Sequence, residues 1–162
     1  MGMVHPQKLQ RIVDLSRAQG FPFKKDSKGS DVDQNARNKL LPEAESRNMG
    51  VIVKRPIANG VWARAQVPTR GFPTTYAEEY FDRAKAIASL GPLAEVDDPI
   101  KLAMGFTFAH PEVDTAIIGT TNPKHILSNI SMMDEGLSIS DENLDTLVKR
   151  FNALGENWNQ LT

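Results

Sequence analysis

Two short apolar runs alternate with amphipathic helical segments, and this alternation limits the fold more than any other feature of the sequence. The runs occupy residues 51–53 and 115–118. Such runs are typical of strands that are buried on both faces of a sheet. Strands that alternate with helices favour a parallel sheet with right-handed crossovers. Because two strands cannot cover themselves, we expect either a third strand near residues 21–23 or a contribution from a second copy of the chain.

The helices predicted around these strands begin at clear capping signals. Thr75 and Glu78 form a capping box, in which a hydroxyl and a carboxylate satisfy free N–H groups reciprocally. Asp98, Asn122 and Ser140 are predicted N-caps of three later helices. The apolar faces of the last two helices are formed by Ile126, Leu127, Ile130, Met133, Leu144, Leu147, Val148, Phe151 and Leu154.

The first 34 residues differ from the remainder of the chain. A predicted helix opens at Pro6 and closes at Gly20. It is followed by FPFKKDSKGSDVD, residues 21–33, which is polar and shows no hydrophobic period. We interpret this segment as a loop. The chain therefore divides into a divergent N-terminal helix with a polar loop, residues 1–34, and a main part, residues 35–162.

The composition excludes several classes of function. The 162 residues hold 19 basic and 20 acidic side chains, and a net charge of −1 argues against nucleic-acid binding. Without cysteine, the chain has no disulfide and no thiolate site, and no group of residues has metal-ligand spacing. No apolar run reaches about 18 residues and no signal-peptide pattern is present, so we expect a cytoplasmic protein that does not enter membranes. A complete eight-stranded α/β barrel takes about 250 residues, so these 162 residues are too few for one.

Residues 117–123, with the sequence IIGTTNP, are the first candidate for a binding site. A strand ends at Gly119, two threonines follow, and a helix capped by Asn122 begins. Free N–H groups at a helix N-terminus and the positive end of the helix dipole favour anions, and Lys124 and His125 add charge. The same residues also fit an ordinary strand–turn–helix corner, and motif matches of this kind carry a false-positive risk.

The companion candidate is the loop at residues 54–60, which also leaves a strand at its carboxyl end. Ligands of α/β folds bind at that end, and in barrels the loops after the last two strands frequently form a phosphate site. Two loops after the last two strands of this chain fit that arrangement. The alternative for Lys54 and Arg55 is a solvated surface pair.

The sequences GVIVKRPIANGVW, DDPIKLAMGFTFAHPEVDTAIIGTTNPKHILSNI and RFNALGENWNQLT resemble the C-terminal part of the aldo/keto reductases. The resemblance covers about residues 35–162, and HPEVDTAIIGTTNPKHILSN is similar to the family's signature around the last strand. The members are NADPH-dependent carbonyl reductases on an eight-stranded α/β barrel. The resemblance implies an incomplete TIM-type barrel, rich in helix, with two or three parallel strands.

The resemblance implies the residues that hold the adenosine end of NADP(H). Gly119, Thr120 and Thr121 fall where the family binds the 2′-phosphate. His125 takes the place of an Arg or Gln that packs by the same phosphate and the adenine. Asn129 matches an Asn that contacts the adenine edge.

The same resemblance implies that the earlier loop runs along the pyrophosphate. Arg55, Ile57, Ala58 and Asn59 match the family's positions there. Lys54 stands where many members place an aromatic residue that stacks on the nicotinamide, and this departure weakens the match at the nicotinamide end.

The family's catalytic Asp, Tyr, Lys and His lie on the first half of the barrel, and no positions of this sequence match them. Other residues are poor substitutes. His110 is expected at the surface or at a helix C-terminus, and Tyr76 and Tyr80 are expected in the core. No catalytic residue is therefore assigned.

Three functions are consistent with the resemblance and the sequence features. The first is a truncated aldo/keto reductase-like protein that binds NADP(H) weakly and is not catalytic alone. The second is an interaction module without cofactor, because a partial barrel leaves strand edges and helix faces that can pair in a homo-oligomer. The third is half of an NADPH-dependent carbonyl reductase that a complementary half-barrel chain completes.

Overall fold

Four strands and five α-helices make up the part of the chain that the computed structural model describes. That part comprises residues 2–4, 27–28, 34, 36–38, 40–61, 75–94, 96 and 98–158, without the side chains of residues 2–4, 27–28, 59 and 75–77. The strands are β1 (Gly2–Val4), β2 (Ser27–Lys28), β3 (Ile52–Lys54) and β4 (Thr115–Ile117). The helices are α1 (Leu40–Ser46), α2 (Thr75–Ala88), α3 (Pro99–Phe108), α4 (Pro123–Glu135) and α5 (Asp141–Leu154), and a 3-10 helix (Ala58–Gly60) follows β3. None of these helices is long and apolar enough to cross a bilayer.

The strands form one sheet in the order β1-β4-β3-β2. β2, β3 and β4 are parallel, and Val53 of β3 lies opposite Ser27 on one side and Ala116 on the other. β1 runs antiparallel to β4 and pairs Met3 with Ala116. The three parallel strands and the helices between them confirm the predicted α/β class and fit an incomplete barrel.

Two strands lie where the sequence did not predict them. β2 occupies Ser27–Lys28, so the interpretation of residues 21–33 as a loop is wrong at these positions. A two-residue strand of Ser and Lys carries no hydrophobic alternation, and its pairing with β3 supplies the backbone hydrogen bonds that define it. β1 was likewise not predicted. The predicted helix between Pro6 and Gly20, and the alternative strand at residues 21–23, lie outside the described residues.

The predicted N-caps of three helices are confirmed. The Asp98 carboxylate accepts a hydrogen bond from the backbone N–H two residues later at 2.7 Å. The Asn122 side chain makes the same bond at 3.0 Å, and the Ser140 hydroxyl accepts from the N–H three residues later at 3.2 Å. Each bond satisfies a donor that has no partner within its helix. Thr75 is the first residue of α2, and its side chain lies outside the described set.

The larger hydrophobic core lies between α2, α3, α5 and the 3-10 helix. Its buried members are Ala58, Val61, Tyr80, Phe81, Ala84, Ile87, Phe106 and Leu147. Leu144, Val148 and Leu154 pack against it, which confirms the predicted apolar stripe of α5. Because Ala58 and Val61 belong to this core, it anchors the loop that follows β3 to three helices.

Arg150 of α5 holds the C-terminal end of α2. Its Nη1 donates to the carbonyls of Ile87 at 3.3 Å and Gly91 at 2.8 Å, and its Nη2 donates to Pro92 at 3.2 Å. The last carbonyls of a helix lack intrahelical partners, and a cation suits the negative end of the helix dipole. The guanidinium therefore joins α2 and α5 through polar bonds in addition to the core.

A smaller core covers one face of the sheet. Its buried members are Leu41, Val51, Val53, Val113 and Ala116, with Ala44 of α1 and Phe108 of α3 partly buried against them. Side chains alternate along a strand, so Lys54, Thr115 and Ile117 belong to the opposite face. Ile117 is 50% exposed there, whereas Thr115 is buried, so the predicted burial of the second strand on both faces is wrong at Ile117.

α4 departs from the predicted burial pattern. Within α4 only Asn129 is fully buried, whereas α5, which has nearly the same length, buries three residues. Leu127 and Ile130 were predicted on the apolar face of α4, and both are exposed. Part of the apolar face of this helix therefore lies in solvent.

Candidate functional site

The two candidate loops leave the same edge of the sheet side by side. β3 and β4 are parallel neighbours, and Lys54 at the end of β3 lies opposite Ile117 at the end of β4. Adjacent strands lie about 4.8 Å apart, so the segments that follow these two residues start next to each other. The structure thereby brings together the two segments that the sequence singled out.

The loop after β4 is organised by the hydroxyl of Thr120. Its Oγ1 accepts a hydrogen bond from the backbone N–H of Asn122 at 3.1 Å and lies 3.2 Å from Nδ1 of His125. Which partner donates in the second contact depends on the imidazole tautomer. Because this contact engages Nδ1, the exposed His125 side chain keeps Nε2 for a ligand.

The N-terminus of α4 offers fewer free N–H groups than the sequence alone indicates. The side-chain oxygen of Asn122 accepts a hydrogen bond from the N–H of Lys124. The backbone carbonyl of Asn122 accepts one from the N–H of His125 at 3.0 Å. Among the described residues, the exposed hydroxyl of Thr121 and the exposed imidazole of His125 are available to an anion at this corner, together with the helix dipole. A Cβ on the exposed Gly119 would meet no atom of the described residues within 4 Å, so none of these residues blocks the approach to the corner.

Polar side chains continue from this corner along α4. His125 and Asn129 lie four residues apart, so they share one face of the helix. His125 is exposed, but Asn129 is only 8% exposed. The adenine contact that the resemblance implies for Asn129 is therefore limited to the small part of this side chain that reaches the surface.

The loop after β3 folds back tightly. Arg55 and Ala58 have φ angles of 60° and 45°, in the left-handed region that favours glycine. The N–H of Ala58 donates to the Arg55 carbonyl at 2.9 Å, and the N–H of Gly60 donates to the Ile57 carbonyl at 2.7 Å. Ala58 is completely buried, so it can meet a ligand only through its backbone. The side chain of Asn59 lies outside the described set.

Lys54 and Arg55 are not a solvated surface pair. Both are half-buried where β3 passes into its loop. The residue beside the end of β4 is thus a lysine and not an aromatic residue.

The fold and its paired loops define part of an α/β barrel, with a candidate ligand corner at the carboxyl ends of two adjacent parallel strands. The family model of the aldo/keto reductases matches residues 27–149. The chain belongs to the aldo/keto reductase family. The match begins at Ser27, the first residue of β2, and so earlier than the resemblance at about residue 35.

Solved structures with a similar fold include two forms of one enzyme, the aldo-keto reductase AKR11C1 from Bacillus halodurans. Its holo form matches with a TM-score of 0.57 and 18% sequence identity, over 86% of this chain and 46% of that chain. Its apo form matches with a TM-score of 0.56 and 19% identity, over 86% of this chain and 47% of that chain. The chain thus spans less than half the length of these structures. No curated protein matches its sequence.

Sequence reasoning missed Asp114, which joins the two loop-bearing strands at their other ends. Asp114 is fully buried, and its Oδ2 accepts from the backbone N–H of Val51 at 2.8 Å. The N–H groups of Asp114 and Thr115 donate in turn to the Val51 carbonyl at 3.1 and 3.2 Å. The sequence signal that could have identified Asp114 is a carboxylate directly before an apolar strand. A charge buried at such a position needs a specific partner.

His110 directly follows Ala109, the C-cap of α3, so it lies at a helix C-terminus, which is one of the two expected positions. It is half-buried, and its ring packs edge-on against Phe106 with 5.1 Å between centroids. Burial lowers the pKa of His110; Glu112 opposes this shift and Arg37 adds to it. Tyr80 is buried in the larger core, as predicted, and the side chain of Tyr76 lies outside the described set.

The lowered pKa of His110 makes folding pH-dependent. Below about pH 6.5 the unfolded chain takes up a proton at this imidazole while the folded chain resists it, so stability falls as the pH drops towards the folded-state pKa. We expect His110→Gln to reduce the loss of unfolding free energy between about pH 7.5 and about pH 5.5, as measured by urea unfolding. The exposed His125→Gln is the control, and an equal loss in wild type and His110→Gln contradicts the assignment.

Proposed function

We propose that this chain is a truncated aldo/keto reductase-like protein that binds the adenosine end of NADP(H) weakly and does not reduce carbonyls by itself. The observation that carries the proposal is the pairing of Lys54 with Ile117, which starts the two loops side by side. Family membership supports the choice of NADP(H), since the aldo/keto reductases generally use this cofactor.

The residues at the corner fit the phosphate of such a cofactor. The hydroxyl of Thr121 and Nε2 of His125 are suitable donors to a 2′-phosphate, and the contact with Thr120 holds the imidazole in place. The open approach at Gly119 leaves room for the phosphate oxygens. The backbone of residues 55–60 borders the corner and suits a pyrophosphate that extends along the sheet edge.

The described residues give no support for catalysis by the chain alone. In the family a tyrosine donates the proton to the carbonyl oxygen, and the sequence contains two tyrosines. Tyr80 is 1% exposed and packs in the larger core, so it cannot reach a substrate. Bound NADPH supplies a hydride in this family; here the chain's own residues would bind and orient the adenosine end.

The test is a titration of the purified chain with NADPH, followed by cofactor fluorescence, beside a titration with NADH, which lacks the 2′-phosphate. We expect saturable NADPH binding that weakens about tenfold in His125→Ala and in Thr121→Ala, because a charge-assisted hydrogen bond contributes about 1.5–3 kcal/mol. Binding of NADH should change less than about twofold in the same variants.

Lys149→Ala is the matched control, since Lys149 is an exposed cation on α5 and is not one of the corner residues. It should leave NADPH affinity unchanged. Absence of binding at millimolar NADPH, or equal loss of NADPH and NADH affinity in the variants, overturns the proposed phosphate site. Turnover of NADPH with any aldehyde overturns the non-catalytic assignment.

A further inference from the structure

The outer side of α4 carries an exposed apolar stripe with a charge at each end, and the described part of the chain does not cover it. Leu127 is 68% exposed and Ile130 is 37% exposed. Lys124 and Asp134 are exposed on the same side of the helix, three and four residues beyond the two apolar side chains. These four residues define the outer face of α4.

The exposure of this face is unusual for a helix of this protein. An amphipathic helix normally turns its apolar stripe to the core, as α5 does with Leu147 and Phe151. α4 buries Asn129 instead and leaves Leu127 and Ile130 in solvent. Two large aliphatic side chains one turn apart form a small contact surface for another helix.

The charges of α4 run against its own dipole. Lys124 lies in the first turn, where the dipole favours anions, and Asp134 lies in the last turn, where it favours cations. Glu135 adds a second acid at that end and accepts from the Ser131 hydroxyl at 2.7 Å. In an isolated helix this placement of charges is destabilising. Against a second, antiparallel copy of the helix, the basic first turn of each helix faces the acidic last turn of the other, and these charges attract each other.

We propose that the outer face of α4 packs against the same face of a second copy of this chain, with the two helices antiparallel about a two-fold axis. The axis crosses at the level of Asn129, midway between Lys124 and Asp134. Each Lys124 then lies beside Asp134 of the partner subunit, and the aliphatic pairs meet between them. The contact is isologous and closes after two copies.

Charge complementarity selects this occupant. A second α4 supplies a basic group opposite each acidic group and an apolar pair opposite each apolar pair, and the two helix dipoles oppose each other. The contact contains few large side chains, so we expect a weak and concentration-dependent dimer. The proposal does not depend on nucleotide binding.

The test is sedimentation equilibrium from about 1 μM to about 1 mM chain, for Lys124→Glu, Asp134→Lys and their equimolar mixture. Wild type should dimerise within this range. Each variant alone places like charges together twice, so its dimer affinity should fall at least about tenfold. The mixture should restore the dimer, because Glu at 124 then faces Lys at 134 of the other chain, and the native pair remains.

Two further measurements separate this interface from a folding effect. Both substitutions improve the fit of charge to the helix dipole, so each monomer should be as stable as wild type or slightly more stable in urea unfolding. Lys149→Glu, on the exposed side of α5, is the matched control and should leave the dimer intact. A wild-type monomer at all concentrations, or a mixture that stays monomeric, overturns the proposal and leaves another occupant for this face.

Discussion

Replacing Phe106 by alanine is expected to lower the free energy of unfolding by about 3–5 kcal/mol. Phe106 is 2% exposed in the larger core, where α2, α3, α5 and the 3-10 helix meet. Removing the ring deletes its contacts and leaves a cavity that the surrounding structure can only partly close. Since small domains are stable by about 5–15 kcal/mol, this change removes a large share of the total.

Urea unfolding followed by far-UV circular dichroism measures the effect. Phe106→Leu keeps most of the apolar volume and should cost less than about 2 kcal/mol, which keeps the test informative if the alanine variant does not fold. Leu90→Ala is the matched control, because Leu90 is 51% exposed and should change stability by less than about 0.5 kcal/mol. Equal effects at Phe106 and Leu90 would contradict the position assigned to this core.

The same substitution reaches the candidate site through Ala58. Ala58 and Phe106 share the larger core, and the backbone of Ala58 holds a left-handed conformation at the start of the 3-10 helix. Such a conformation persists where the surrounding packing fixes it. We therefore infer that the shape of the loop after β3 depends on the helical core as well as on its own hydrogen bonds.

The parts of the fold that the sequence predicted rest on local signals. The caps at Asp98, Asn122 and Ser140 each need one side chain and an N–H two or three residues away, so the sequence alone specifies them. β3 and β4 lie in short apolar runs, and such a run marks a strand within its own few residues. These signals do not depend on how distant segments meet.

The parts that the sequence did not predict depend on pairing between distant segments. β2 consists of Ser27–Lys28, and only its hydrogen bonds to β3 make it a strand. β1 is antiparallel to β4 across more than a hundred residues of sequence. The exposure of Leu127 and Ile130 is also non-local, since a helical period marks a stripe but does not supply what covers it.

The candidate site shows the same division between local and distant causes. The order of strands and loops predicted that two loops would lie together, because the carboxyl ends of parallel strands share one sheet edge. The contact between Thr120 and His125 and the burial of Asn129 required the structure. The structure was also needed to show that Asn122 accepts from two helix N–H groups, which leaves side chains to supply most of the anion contacts.

Asp114 holds β3 and β4 together at their amino-terminal ends, away from the candidate site. Its replacement is expected to cause the second large loss of stability. Its side chain accepts from Val51 N–H at 2.8 Å, and its own N–H donates back to the Val51 carbonyl at 3.1 Å. Asp114→Ala leaves the Val51 donor buried without its partner, and Val51 is 4% exposed. We expect a loss of about 2–3 kcal/mol in unfolding free energy.

Asp114→Asn separates the hydrogen bond from the simple loss of volume. The amide oxygen can still accept from Val51, so the asparagine variant should lose only about 1 kcal/mol, because the bond is no longer charge-assisted. Asp145→Ala removes an exposed carboxylate from α5 and serves as the matched control. Urea unfolding of the three variants gives the order of their stabilities. An asparagine variant as unstable as the alanine variant would show that this bond does not join the strands.

Because β3 and β4 carry both candidate loops, the alanine variant should also weaken NADPH binding, whereas the asparagine variant should preserve it.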